Sequence, residues 1–327
     1  MWRFIARPLD RFAIRSACGS VRPSPDGAAH AEEAAAFLAS SDFFCPRVNA
    51  ADLQFTGKDA FRFPSAVESP EAGNNTVPGR CELVAEDWRE RPAVILLHGW
   101  NAELQYQWCL PYWSQLLTRA GINAFRFELP YHASRRPRSP APIQNFLSGD
   151  LLHVTRATHQ TLADVRSLAL WLRAQGASSV TVWGPSLGAW LAGLAVAHQP
   201  ELDAAVLLTP VVRMERALCE LAFCEPIRGH LAGFHQQFER LNLVAHPPAG
   251  DKDILVVASQ LDLFAPTETI DELERFWHPE VWRLEHGHIS VLLSGRVMRR
   301  IVQWVASRAA GFPHSSSQAN EREARRS

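Results

Sequence analysis

The sequence predicts an α/β fold in which a mostly parallel central sheet is covered by helices on both faces. Short, continuously apolar runs recur along the chain, and segments with helical periodicity lie between them. Runs that are apolar throughout are typical of strands buried on both faces, and the alternation with helices is typical of a parallel sheet. The chain has 327 residues, of which 47% are hydrophobic, so it can bury one large core.

Six apolar runs supply the predicted central strands, and four periodic segments supply the helices between them. The strands are predicted at 93–98, 122–129, 179–183, 203–209, 253–259 and 281–285, and the helices at 105–119, 158–175, 186–198 and 290–308. The first 90 residues are less regular. They predict a helix at 28–40 and β-like runs at 53–55, 61–63 and 81–85, whereas three prolines and two glycines mark 64–80 as a loop.

The predicted organisation is a hydrolase-like core interrupted by one insertion. Residues 211–250 are rich in Arg, Glu, Phe and His and predict a small helical cap after a strand end. The segments are an N-terminal arm with the first strands packed on the core (1–90), two parts of the core (91–210 and 251–312), the cap (211–250) and a polar tail expected to be disordered (313–327).

Charge and cysteine content narrow the class of protein. The 33 basic and 34 acidic residues give a net charge of −1, which offers no reason to expect a nucleic-acid partner. Six cysteines without a C-x-x-C pair predict reduced thiols and a cytoplasmic location. The sequence contains no apolar window long enough to predict a transmembrane helix.

The N-terminus carries two side-by-side stripes if it is helical. Arginines recur every fourth residue, and apolar residues are interleaved with them: Arg3, Arg7, Arg11 and Arg15, and Trp2, Ile5, Leu9 and Phe12. An arm packed on the body is the favoured interpretation, because Pro8 and Asp10 weaken a membrane-binding pattern. A peripheral membrane contact through residues 1–20 is the alternative.

We predict Ser186 as the nucleophile, within a G-x-S-x-G pattern that runs from Gly184 to Gly188. The pattern follows an apolar strand and precedes a helical segment, which is the context of a nucleophile elbow. The turn is so tight that the residues two positions away must be glycines. Ser186 then lies at a helix N-terminus, where the backbone N–H of Leu187 is available to a developing oxyanion.

A serine needs a base within hydrogen-bond reach and an acid that orients the base. We predict His288 as the base, because it lies in a loop between the last strand and the last helix. His286 is the less favoured alternative. We predict Asp262 as the acid, since it follows the 253–259 strand; the alternative is an aspartate that only caps the turn.

The second oxyanion donor is expected from the loop after the first central strand. That loop reads His98-Gly99-Trp100-Asn101, and we predict the backbone N–H of Trp100 as donor, with Gly99 allowing a close backbone approach. His98 is expected to brace the loop. Two further arginines, Arg135 and Arg136, either meet a substrate carboxylate or phosphate or belong to a solvated loop.

Over residues 90–310 the sequence resembles the α/β-hydrolase superfamily. The matching motifs are Leu97-His98-Gly99, Gly184 to Gly188, Asp262 and Gly287-His288. The resemblance implies an α/β-hydrolase fold, an acyl-enzyme mechanism and no cofactor or metal, with a small-molecule or lipid-like ester or thioester as substrate. An acyltransferase, a lipid-directed hydrolase and a binding protein without catalysis stay open as alternatives, and the sequence does not indicate the oligomeric state.

Overall fold

A computed structural model describes residues 2–24, 26–85, 87–100, 103, 105–137, 145–231 and 234–310. The fold is an α/β-hydrolase fold, as predicted. A nine-stranded sheet has the order β1-β2-β3-β5-β4-β6-β7-β8-β9. Strands β4 to β9 run parallel to one another, whereas β1, β2 and β3 are joined to them by antiparallel pairing.

The strands follow the predicted apolar runs to within a few residues. Their bounds are β1 Gln54–Phe55, β2 Ala60–Pro64, β3 Thr76–Glu82, β4 Ala93–Leu96, β5 Asn123–Phe127, β6 Val180–Pro185, β7 Ala204–Leu208, β8 Asp253–Ser259 and β9 Glu280–Leu284. The helices are α1 Trp2–Ala17, α2 Gly27–Leu38, α3 Leu110–Arg119, α4 Leu151–Ala174, α5 Leu187–His198, α6 Met214–Glu220, α7 Glu225–Leu231, α8 His235–Phe238, α9 Thr267–Trp277 and α10 Gly295–Ala309.

Two apolar layers enclose the sheet because successive strand residues point to opposite faces. In β4, Ile95 packs in the layer formed with α2, α4, α5 and α9, whereas Val94 and Leu96 pack in the layer formed with α3 and α10. In the second layer, the rings of Trp113 and Trp183 stack with centroids 4.9 Å apart. Both faces of the parallel strands are therefore shielded from solvent, as their apolar composition requires.

Three predicted boundaries were wrong. Helix α10 begins at Gly295 rather than at residue 290. The loop predicted over 64–80 contains the first five of the seven residues of β3, because pairing with β2 and β5 outweighs the local effect of Pro78 and Gly79. Helix α4 begins at Leu151 rather than at residue 158. Its start is fixed by Asp150, whose carboxylate accepts hydrogen bonds from the backbone N–H groups of Leu152 and His153.

The segment between β7 and β8 holds α6, α7 and α8, where a cap was expected. Within the described ranges, no helix is both long and apolar enough to cross a membrane. The tail that was expected to be disordered, 313–327, lies outside the described residues.

Candidate active site

Ser186 lies in a strained turn between β6 and α5. Its backbone has φ 53° and ψ −119°, a conformation that non-glycine residues rarely adopt and that is typical of functional sites. The turn is held from two sides: the N–H of Ser186 donates to the carbonyl of Leu208 at 2.9 Å, and its carbonyl accepts from the N–H of Trp190 at 3.0 Å. The β7 strand and the α5 helix therefore fix the serine jointly.

The two pattern glycines are required by close backbone contacts. A Cβ atom on Gly184 would lie 2.4 Å from the carbonyl carbon of Gly188, and one on Gly188 would lie 2.6 Å from the carbonyl oxygen of His98. Gly99 is less constrained than predicted, because a Cβ there would lie 3.2 Å from Gln105 Oε1 and 3.7 Å from Ser186 Cβ. The turn and the 98–100 loop are nevertheless packed directly against each other.

His288 and Asp262 meet at the carboxyl edge of the sheet. The Nδ1–H of His288 donates to Asp262 Oδ2 at 2.8 Å, and both side chains are buried. The other carboxylate oxygen of Asp262 accepts from the backbone N–H groups of Phe264 and Ala265 at 2.7 and 2.9 Å. Asp262 thus caps its own turn and also binds the histidine. His286 lies elsewhere, with its ring 5.6 Å from that of Trp2.

The pKa of His288 is raised above its ordinary value of 6.5. Burial alone would lower this pKa, but the negative charge of Asp262, its hydrogen bond and the more distant charge of Asp10 together outweigh burial. Because Nδ1 is engaged by a carboxylate, the proton that titrates is carried by Nε2. The arrangement therefore stabilises the imidazolium form of His288.

The 98–100 loop is braced by three hydrogen bonds. His98 donates from Nδ1 to the carbonyl of Gly99 at 2.7 Å and accepts at Nε2 from the N–H of Leu129 at 3.0 Å. Burial lowers the pKa of His98 to about 4, so its ring is neutral. The N–H of Gly99 donates to Gln105 Oε1 at 2.6 Å. Gln105 had not been predicted, since no local pattern links it to the loop.

Ser186, Leu187, Trp100 and His288 all border one cavity of about 760 Å³. Most of the other residues that line it are apolar, and many come from the segment between β7 and β8: Ala13, Ala17, Trp108, Leu147, Val211, Met214, Ala217, Leu218, Leu221, Phe223, Phe264, Ile289, Leu292 and Leu293. Among the described lining residues, none is an aspartate, a glutamate, a lysine or an arginine. The cavity is therefore suited to an uncharged, apolar group.

Asp10 of α1 joins the two loops that carry His288 and Asp262. Its carboxylate is fully buried and accepts hydrogen bonds from three backbone N–H groups: His288 at 2.9 Å, Ile289 at 3.0 Å and Leu263 at 3.2 Å. Burial raises the pKa of Asp10, while the amide donors of Ile289 and His288 act in the opposite direction. The N-terminal helix is thus part of the framework that holds the histidine.

The sequence analysis did not predict this contact and counted Asp10 only as a residue that weakens a membrane-binding pattern. One signal was present. Ala6, Asp10, Ala13 and Ala17 share one helix face at spacings of three and four, so the aspartate lies among alanines. An aspartate on a face of small residues is placed to approach a neighbouring backbone closely, whereas an aspartate among the exposed arginines would be solvated.

Neither interpretation of Arg135 was correct. The residue is fully buried, and its guanidinium donates to Asp164 Oδ2 at 3.0 Å and to the carbonyls of Glu128 and Asn74 at 2.9 and 2.7 Å. It therefore joins the β3 and β5 region to α4 and does not meet the cavity. Arg136 forms an ion pair of 2.6 Å with Glu103.

Several solved structures to which this chain is similar are esterases. An acetyl xylan esterase from Paenibacillus superposes with a TM-score of 0.56 at 14% identity, covering 89% of this chain and 98% of that chain. Acetyl xylan esterase 1 from Thermoanaerobacterium gives 0.55 at 16% identity, covering 89% and 98%. Est1E from Butyrivibrio proteoclasticus gives 0.52 at 12% identity, covering 72% and 95%. At these identities the likeness establishes the fold.

Sequence comparison gives more limited information. Two uncharacterised proteins from Mycobacterium tuberculosis are each 30% identical over 193 residues, which is 56% of this chain and 46% of each relative. The chain thus spans about half the length of the curated relatives it matches. No family model matches the chain.

Proposed function

We propose that this protein hydrolyses carboxylic esters or thioesters with an apolar acyl group through an acyl intermediate on Ser186. One observation carries the proposal. A serine in a strained strand-to-helix turn borders the same apolar cavity as a histidine whose Nδ1–H is bound to a buried carboxylate. The esterases of similar fold support the same class of reaction.

In the proposed mechanism, His288 Nε2 removes the proton of Ser186 Oγ while Oγ attacks the carbonyl carbon of the ester. The backbone N–H groups of Leu187 and Trp100 donate to the oxyanion that forms. Leu187 is the first residue of α5, so its N–H has no partner within the helix. Gly99 N–H is already engaged by Gln105, and Trp100 provides the next amide along the loop.

The tetrahedral intermediate then collapses, and the bond from the carbonyl carbon to the leaving oxygen or sulfur breaks. The leaving group takes the proton from His288 and departs as an alcohol or thiol. His288 next removes a proton from water, whose oxygen attacks the acyl carbon. The carboxylic acid leaves, and Ser186 Oγ recovers the proton. Asp262 fixes the tautomer of His288 and stabilises its cationic form in both halves of the cycle.

Labelling with a fluorophosphonate probe tests the nucleophile. We expect covalent labelling of the unaltered protein and of Ser307→Ala, a matched change at an exposed serine of α10, but not of Ser186→Ala. Equal labelling of Ser186→Ala would remove the proposed nucleophile. Absence of labelling in the unaltered protein would instead favour a binding protein that has kept the fold.

A chain-length series of p-nitrophenyl esters tests the acyl group. The cavity of about 760 Å³ is near the upper part of the range of roughly 300–1,000 Å³ for ligand sites, and its walls are mostly apolar. We therefore expect kcat/KM to rise from acetyl to longer acyl chains. A maximum at acetyl would contradict the proposed acyl group and leave the role of Ser186 intact.

A further inference from the structure

The solvent-facing side of α1 differs from that of a helix that only covers the core. Phe4 is 83% exposed and Phe12 is 71% exposed, and Pro8, between them on the same side, is exposed as well. The side turned towards the body carries the buried Ala6 and Asp10, and the larger apolar residues of α1 beside them are only partly buried: Trp2, Leu9 and Ile14. A helix selected only for packing buries its phenylalanines and leaves its small residues outside, because burial of large apolar side chains drives packing.

The same outer side is strongly basic. Its four arginines are exposed and recur every fourth residue, so they form a stripe beside the phenylalanines: Arg3, Arg7, Arg11 and Arg15. The one carboxylate within α1 belongs to Asp10, which is buried and binds three backbone amides. The outer side of α1 therefore combines positive charge with apolar side chains and carries no negative charge.

The opposite side of α1 borders the opening of the cavity. Ala13 and Ala17 lie in the cavity wall, together with Trp108 and Leu293. Trp108 is 73% exposed and Leu293 is 53% exposed. Side chains that belong to the wall and are also mostly exposed mark the place where the cavity opens. Tryptophan at such a position is typical of a protein surface that meets the headgroup region of a membrane.

We propose that α1 docks the protein on the surface of an anionic lipid membrane, with Phe4 and Phe12 between the headgroups and the arginine stripe on lipid phosphates. Docking through this helix brings the cavity opening, on the other side of α1, to within about one helix diameter (about 10 Å) of the bilayer, which shortens the path of an acyl chain. This last step rests on the proposed function, whereas the docking itself does not. A second copy of this chain is less suited to this face of α1, because a symmetric face-to-face dimer would bring two arginine stripes together.

Vesicle co-sedimentation of the full chain tests the docking surface. All proteins carry Ser186→Ala, so lipid hydrolysis cannot alter the vesicles. We expect binding to phosphatidylcholine vesicles that contain phosphatidylglycerol, and much weaker binding to phosphatidylcholine alone or at high salt. Changing each arginine of the stripe to glutamine should lower the partition coefficient about five-fold. Phe4→Ser with Phe12→Ser should lower it about ten-fold or more.

The matched controls are Arg275→Gln and Phe276→Ser, which change an exposed arginine and an exposed phenylalanine of α9. They should bind as the parent protein does. Absence of binding to anionic vesicles, or equal losses in the α9 and α1 variants, would overturn the proposal. A doubled mass in light scattering that Phe4→Ser with Phe12→Ser abolishes would assign the face to a second copy. Hydrolysis of a soluble short-chain ester by protein that retains Ser186 tests the proposed function separately.

Discussion

Replacing Asp10 by alanine should destabilise the protein and slow its reaction. The carboxylate accepts three backbone hydrogen bonds between 2.9 and 3.2 Å. Hydrogen bonds to charged groups contribute about 1.5–3 kcal/mol each, so the gross contribution is about 5–9 kcal/mol. Burial of the charge opposes this, as the raised pKa of Asp10 shows, and water can enter the space that alanine leaves. We expect the free energy of unfolding to fall by about 2–4 kcal/mol.

Asp10→Asn separates the charge from the hydrogen bonds. The carboxamide keeps one acceptor oxygen, but its NH₂ group faces amide donors, so we expect a loss of about 1–2 kcal/mol. For both variants kcat should fall up to about 100-fold, because a shift of the His288 backbone by about 1 Å misplaces the imidazole. The negative charge of Asp10 also raises the pKa of His288. The acid limb of the kcat/KM profile should therefore move to lower pH.

Urea unfolding followed by tryptophan fluorescence measures the stability change, and an unaltered slope shows that the variants unfold in the same way. Arg11→Ala is the matched control, since Arg11 is the exposed neighbour on the same helix, and its effect should stay within about 0.5 kcal/mol. The reasoning is refuted if Asp10→Ala unfolds at the same urea concentration as Arg11→Ala and keeps the kcat and pH profile of the parent.

Three further predictions concern the site and its framework. Asp262→Asn should slow kcat by a factor on the order of 10⁴. Without the aspartate charge, burial lowers the pKa of His288. The acid limb of the kcat/KM profile, expected above pH 6.5 in the unaltered protein, should therefore shift to lower pH. An unmoved limb would assign that titration to another group. Gly184→Ala should prevent folding or lower Tm sharply in a thermal scan. The matched control is Gly229→Ala in α7, where the Cβ position has open space around it, and this change should raise the free energy of unfolding by about 0.5–1 kcal/mol. Equal Tm values for the two variants would show that the turn at Ser186 relaxes. Arg135→Met removes the ion-pair partner of the buried Asp164 carboxylate and should lower the free energy of unfolding in urea by about 3–5 kcal/mol. A loss below about 1 kcal/mol would indicate that Asp164 becomes protonated at no cost.

The central sheet was predictable because its strands are buried on both faces and read as continuous apolar runs. The turn at Ser186 was predictable for a similar reason: only glycines fit two positions on either side of it, and the structure shows the corresponding backbone contacts. Both signals are local, since a few consecutive residues carry all the information. The elements that depend on partners distant in sequence were harder to predict. In β3, pairing with strands on both sides outweighs the local effect of a proline and a glycine.

The interactions that hold the site are non-local. His98 binds the amide of Leu129, 31 residues away, and Asp10 binds an amide 278 residues away. Arg135 is held by groups from three separate segments. An isolated aspartate, glutamine or arginine looks the same in sequence whether it is solvated or buried, because its partners are set by the tertiary fold. The side chains proposed to react were therefore easier to locate in the sequence than the residues that hold their loops.

The hydrogen bond between Asp10 and the amide of His288 also has a consequence for how the protein acquires its activity. It closes a loop of 278 residues, and the entropy cost of closing a loop grows with its length. Contacts of such long sequence separation are typical of late steps in folding. During refolding, the circular dichroism of the helices should therefore return before the proposed ester turnover does, because the candidate site is complete only once the segments around residues 10 and 288 have met.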